Sequence, residues 1–120
     1  MYESGENYLE TILLLTKRQT HVRSIDVANE LGFSRPSISR AMGILAESGY
    51  ITIEQGHILL TEAGKEKASE IYERHCLITA FLQQTLGLDD MTADADACRI
   101  EHVISEETFR RIKQVVQNKG

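Results

Sequence analysis

Three residue types that bind metals fall within five consecutive positions, Cys98-Arg99-Ile100-Glu101-His102. On an α-helix, positions i, i+3 and i+4 share a face. The spacing therefore turns one thiolate, one carboxylate and one imidazole toward a single point, and that mixture of soft and hard donors suits a divalent transition metal. Three donors do not close a coordination shell. The rest of the chain offers two further sources: Asn7 and Glu10, one helical turn apart near the N-terminus, and His75 in a long middle helix. A Cys-x-x-Glu-His pattern also arises by chance on solvated helices, so its meaning depends on the elements that carry it.

The first of those elements is a predicted helix capped by Ser4 and running to about Lys17, with Tyr8, Leu9, Ile12, Leu13 and Leu15 on a broad apolar face. A polar link, Gln19-Thr20-His21, and Val22 lead into a short helix capped by Ser24, with Ile25, Ala28 and Leu31 inward and Gly32 as its stop. Ser34 caps the next helix and Pro36 sits in its first turn, where a missing N–H costs nothing. Ile38, Ala41, Met42 and Leu45 form its buried stripe, and Gly49 ends it. The opposite face carries Arg35, Ser37, Ser39, Arg40 and Gly43, small or basic residues that can enter a major groove without steric conflict. The pattern fits a helix-turn-helix, or a plain helical corner with a solvated face.

Tyr50-Ile51-Thr52-Ile53 alternates like a strand, Glu54-Gln55-Gly56-His57 reads as a turn and Ile58-Leu59-Leu60 as the return strand. A hairpin directly after a recognition helix is the wing of a winged helix, and its apolar side must pack on the helices before it. In that turn His57 is either solvated or within reach of a phosphate. Thr61 then caps a long helix, roughly Glu62 to Leu86, with Ala68, Ile71, Tyr72, Ile78, Phe81, Leu82 and Leu86 apolar, more than one face needs. Gly87 stops it, Thr92 caps the ligand-bearing helix through about Ile104, and Ser105 with Glu106 and Glu107 opens a last helix holding Phe109, Ile112, Val115 and Val116. The apolar surplus at 68–86 and 109–116 predicts a homodimer through the helical half.

With 120 residues and 42% apolar content, the chain makes one compact unit or two small subdomains. Its longest apolar run is Ile12-Leu13-Leu14-Leu15 and its start lacks the layout of a signal peptide, so a cytoplasmic protein without membrane partners is expected. The two cysteines, Cys76 and Cys98, are expected as free thiols. Cys76, about 100° around the helix from His75, is expected in the core. A net charge of −5 argues against nucleic-acid binding, but residues 17–40 hold five basic groups (Lys17, Arg18, Arg23, Arg35, Arg40) against Asp26 and Glu30, a local +3 on an acidic body.

Together these motifs resemble the diphtheria toxin repressor and manganese transport regulator family of metal-dependent transcriptional regulators. The resemblance rests on Tyr8-Leu9-Glu10-Thr11-Ile12, on Val22-Arg23 through Ala28, on Ser34-Arg35-Pro36-Ser37-Ile38-Ser39, on Leu60-Thr61-Glu62-Ala63-Gly64, on Arg74-His75 and, most specifically, on Asp96 through Ser105, all in family order. It implies a mainly α fold with a small β-hairpin wing: a winged helix-turn-helix DNA-binding domain over 1–70 and a helical metal-binding and dimerisation domain over 71–120. It also implies the short form that lacks a C-terminal β-barrel. Carried over by position, the family's principal metal site falls on Asn7, Glu10, His75, Cys98, Glu101 and His102. Asn7 stands where the iron-responsive branch has Met and the manganese-responsive branch has Asp. Glu10 resembles the manganese branch and Cys98 the iron branch. An ancillary site of the iron branch also uses the residue four after the helical His and the residue four before the Cys, here Thr79 and Asp94, which depart from its usual form.

The resemblance implies a repressor of metal homeostasis activated by Fe(II) or Mn(II), with Co(II), Ni(II) or Zn(II) able to substitute. It would act as a homodimer on a palindromic double-stranded operator through Ser34, Arg35, Pro36, Ser37, Ser39 and Arg40. No small organic substrate and no enzymatic activity are expected. A winged-helix regulator that ignores metal is the main alternative. A metallohydrolase is the other, although no general base or substrate pocket stands out.

Overall fold

The computed structural model describes residues 3–119, with side chains over 5–118. Its elements follow in the order α1 (Glu3–Arg18), α2 (Ser24–Leu31), α3 (Arg35–Glu47), β1 (Ile51–Glu54), β2 (His57–Leu60), α4 (Glu62–Leu86), α5 (Asp90–Ile100) and α6 (Glu106–Lys119). The chain divides into two compact units, Met1–Ser69 and Glu70–Gly120. No helix among the described residues is long and apolar enough to cross a membrane.

The first unit is a winged helix-turn-helix closed around an aliphatic core. Leu9, Ile12 and Leu15 of α1, Val27 and Ala28 of α2, Ile38, Met42 and Leu45 of α3, and Ile51 and Ile58 of the hairpin are all buried, with Val22 and Ala68 completing the set. Val27 replaces Ile25 and Leu31 as the fully buried apolar anchor of α2, since those two are only half-buried. Two expected caps differ. Helix α1 already includes Ser4, whose side chain lies outside the described residues. Helix α2 is capped by Arg23 rather than Ser24: Arg23 has extended backbone and donates its N–H to Asp26 Oδ2 at 2.9 Å. Ser34 caps α3 as expected, with Oγ accepting from Ser37 N at 3.4 Å.

The hairpin pairs Ile51 with Leu60, Thr52 with Leu59, Ile53 with Ile58 and Glu54 with His57. The turn is therefore two residues, Gln55 and Gly56, with φ of 52° and 80°, the left-handed pair whose twist matches the strands it joins. His57 belongs to β2 and is half-buried, not a free turn residue. At the base of the wing, Thr61 N donates to Tyr50 O at 3.0 Å and Thr61 Oγ1 donates to Gly49 O at 2.7 Å. The same hydroxyl accepts from Gly64 N at 3.0 Å, capping α4. Gly64 is required there, since a Cβ would stand 1.9 Å from Tyr50 O.

In the second unit, Ile78 and Leu82 of α4 pack with Ala93 and Ala97 of α5, flanked by Phe81, Leu88, Ile100, Ile104, Phe109 and Ile112. Helix α5 starts earlier than Thr92 because Asp89 is the cap, its Oδ1 accepting from Thr92 N at 2.7 Å. Those bonds stabilise the charged form and hold the Asp89 carboxyl below its ordinary pKa. The helix ends at Ile100, not Ile104, and Glu101 to Ile104 form a tighter turn, with Val103 N bonded to Ile100 O at 3.0 Å. Ser105 opens α6 by accepting from Thr108 N at 3.1 Å. Cys76, expected in the core, is exposed; Cys98 is half-buried, and neither forms a disulfide.

Candidate metal centre and nucleic-acid interface

Within the second unit, the end of α5 and the middle of α4 gather a polar cluster. Glu101 closes α5 with helical backbone, its N–H still bonded to Ala97 O at 2.9 Å. Its side chain is fully buried. His75 Nδ1 lies 3.0 Å from Glu101 Oε2, and His102 Nε2 lies 3.1 Å from Glu101 Oε1. A carboxylate so buried is tolerable only beside positive charge or strong donors. Two imidazoles against one carboxylate are a donor set that fits a divalent transition metal, which would supply that charge.

Two neighbours orient the cluster. His75 Nε2 lies 2.8 Å from Asp94 Oδ1, so with one ring nitrogen turned to Glu101 a second carboxylate fixes the plane of the imidazole. Arg74 Nη1 donates to the backbone oxygen of Glu101 at 3.1 Å, its guanidinium lies 5.1 Å from the centroid of Phe109, and Nη2 bonds Glu106. Arg74 thereby ties the turn after α5 to the start of α6. The sequence flagged Arg74 only as part of a motif, because a cation beside a ligand has no spacing rule. Thr79 Oγ1 donates to His75 O at 2.8 Å, which commits that hydroxyl to the helix backbone. Cys98 sits one turn before Glu101 and His102 on α5, while Asn7 and Glu10 lie on α1 of the first unit, Asn7 half-buried and Glu10 buried.

In the first unit, Ser34, Arg35, Pro36, Ser37, Ser39 and Arg40 are all exposed, along the first two turns of α3 and its cap. Ser34 Oγ also donates to Ser37 Oγ at 3.0 Å. A cleft of about 320 Å³ opens between the starts of α2 and α3 and the wing turn, lined by Arg23, Ser24, Ile25, Arg35, Ser39 and Gly56. Beside it the His21 and His57 rings stack with centroids 4.3 Å apart, and Arg23 Nη2 lies 3.3 Å from His57 Nε2. Arg23 counted in the local charge excess, but its place beside the wing depends on a backbone bridge between Arg23 and His57 that no local pattern encodes.

A winged helix-turn-helix joined to a helical unit with a buried imidazole and carboxylate cluster is the architecture of a metal-responsive DNA-binding regulator. The chain belongs to the iron-dependent repressor family of metal-dependent, DNA-binding transcriptional repressors of metal homeostasis. Residues 1–57 match the family's N-terminal DNA binding domain and residues 61–119 its metal binding and dimerisation domain. It is 36% identical over 115 residues to an HTH-type transcriptional regulator of Methanocaldococcus jannaschii, covering 94% of this chain and 92% of that one. It is 34% identical over 116 residues to the transcriptional regulator MntR of Escherichia coli, covering 96% of this chain and 74% of MntR. A manganese-dependent transcriptional repressor solved with manganese superposes with a TM-score of 0.87 at 27% identity, covering 94% of this chain and 52% of that one. The chain likewise spans about half the length of the iron-dependent repressors IdeR that it matches.

Proposed function

We propose that this protein is a homodimeric repressor whose DNA affinity is switched on by Fe(II) or Mn(II), with Co(II), Ni(II) and Zn(II) as substitutes in vitro. The carrying observation is the buried Glu101 carboxylate held by His75 and His102 within 3.1 Å. In this reading the ion is held by Glu101, His102, His75 and Cys98, together with Asn7 and Glu10 from α1. When bound it supplies positive charge to the buried carboxylates. Asp94 and Arg74 keep the imidazole of His75 and the turn at Glu101 in place, so that little ordering is left for the ion to pay for. The DNA-binding part spans 1–70 and the metal and dimer part 71–120, in the cytoplasm.

The DNA side of the proposal uses the start of α3: Arg35, Ser37, Ser39 and Arg40 for base edges and phosphates, Ser34 for the cap and a backbone contact, Pro36 for apolar contact. A dimer reads two half-sites, hence a palindromic operator. Metal acts by coupling, since an ion that favours the arrangement that binds DNA must itself bind more tightly in the presence of DNA. The test is duplex selection from a random library with metal-loaded protein, followed by titration under anaerobic Fe(II), Mn(II), Co(II) or Zn(II) and under chelator. Tight binding with metal and weak binding with chelator is expected; binding that ignores chelator would assign a metal-independent regulator. Arg40→Ala should weaken the selected duplex about tenfold while leaving metal titration unchanged. Undiminished affinity at moderate salt would remove that residue from the interface.

A further inference from the structure

The groups beside the wing turn are mostly basic. His21 and His57 stack face to face at 4.3 Å, Arg23 Nη2 approaches His57 Nε2 at 3.3 Å, and Arg35 lines the adjoining cleft with Arg23. The surrounding carboxylates are few. Asp26 on α2 accepts from the Arg23 N–H, and Glu54 on β1 is the cross-strand partner of His57. Among the described residues, neither the Arg23 nor the Arg35 guanidinium is paired with a carboxylate. The backbone holds the group rigid, because Ile58 N donates to Val22 O at 2.7 Å and stitches the wing to the segment before α2.

An arginine donates to a histidine nitrogen only when that nitrogen carries a lone pair, so the Arg23 to His57 contact needs a neutral imidazole. A protonated His57 would turn N–H against a guanidinium beside a second imidazole. That arrangement is relieved by an anion shared between the donors. Resting on the DNA-binding reading above, we propose that Arg23, His57 and His21 form a phosphate-binding station for the DNA backbone which takes up a proton as the phosphate binds. The sign follows: the bound state favours protonated imidazole, so this contact strengthens as pH falls and weakens as pH rises.

The test compares the parent, His57→Gln and Arg23→Gln in the metal-loaded state, on a mixed-sequence duplex of about 30 base pairs at low salt, because phosphate contacts are indifferent to sequence. The parent and His57→Gln should bind alike at pH 8 and differ about fivefold at pH 6, with the parent tighter. Arg23→Gln should weaken binding at both pH values and lower the salt slope by about one. Acid effects on the metal centre are common to the parent and to His57→Gln and cancel in their ratio. If the parent binds and His57→Gln follows it at both pH values, the station is overturned while the DNA-binding reading stands. Failure of the metal-loaded parent to bind any duplex overturns both.

Discussion

The two units are stabilised by different means. In the first, twelve buried apolar residues converge from four helices, a hairpin and the segment before α2, and Glu10 and Thr11 of α1 are its buried polar residues among those described. In the second, four buried apolar residues form the core cluster, two of them alanines, and a carboxylate with no exposure sits among two imidazoles. Burial of aliphatic side chains, at roughly 25 cal/mol per Å², is the main favourable contribution in the first unit. The second gives up apolar volume to a charged centre, and binding of an ion to the folded form adds stability by mass action. On the proposed function the difference separates two tasks: one unit would present a stable surface to DNA, and the other would keep a cluster whose energy changes when metal arrives.

The largest effect should come from removing the charge at the centre of the second unit. Glu101→Gln keeps the shape and one acceptor but cannot neutralise a divalent ion. Affinity for Mn(II) and Co(II), read by calorimetry, should fall about a hundredfold or more. Metal-dependent stabilisation in thermal melts should vanish with it. A variant that still gains the parent's thermal shift on adding Co(II) would show that the buried carboxylate is structural, and the contrast between the units would collapse into two ordinary cores.

The counterpart in the first unit is steric. Gly64→Ala gains helix propensity, yet its Cβ meets Tyr50 O at 1.9 Å and Tyr50 C at 2.9 Å, backbone atoms held by the bond from Thr61 N. Separating them moves the base of the wing, at a cost of about 2 kcal/mol. That should lower the melting midpoint by roughly 10 °C. If Gly64→Ala melts at or above the parent, the wing base is softer than its hydrogen bonds imply.

These two positions also mark what the sequence could tell. The helices, the Ser34 and Ser105 caps and the presence of a hairpin follow from apolar period, capping residues and a turn signal at Glu54 to His57, all local signals. Glu101 and His102 meet because adjacent positions at the end of α5 keep near-helical spacing even though the helix stops at Ile100. Gly64 carried no such sign, since the atom it avoids belongs to Tyr50, fourteen positions away. Asp94 on His75 and Arg74 on Glu101 are likewise contacts between elements. The exposed Cys76 and the cap at Asp89 show where local reading erred, because Cys76 was placed by helix angle without knowing which faces of α4 were covered, and Thr92 was preferred to an aspartate three residues earlier.

A smaller effect tests the softness of the donor set. Cys98→Ala removes the sulfur without disturbing Glu101 or His102, so the helix should persist. Affinity for Co(II) should fall about tenfold or more while Mn(II), a harder ion, loses less. Cys98→Glu should instead shift preference toward Mn(II). Paired calorimetric titrations decide it, and equal Co(II) affinity in Cys98→Ala and parent would make the thiol packing filler and remove it from the site.

The smallest effect concerns a cap rather than a ligand, and it asks whether the second unit's surface responds to acid apart from its centre. Asp89 accepts from Thr92, and those hydrogen bonds keep its carboxyl below the ordinary value in the folded state. A depressed folded pKa means that the charged cap stabilises α5 at pH values above the ordinary carboxylate range. That contribution is lost as pH falls through the lower folded value. Asp89→Asn keeps an acceptor for the Thr92 N–H but cannot titrate, and it removes a negative charge from a helix N-terminus. At pH 7 the variant should be slightly less stable than the parent, and the gap should close as pH is lowered toward 3. Chemical denaturation at both pH values in the presence of chelator, where the metal centre cannot contribute, reads the difference. A gap that widens in acid would reverse the sign and mean that the carboxylate is held by its charge less in the folded chain than in the unfolded one.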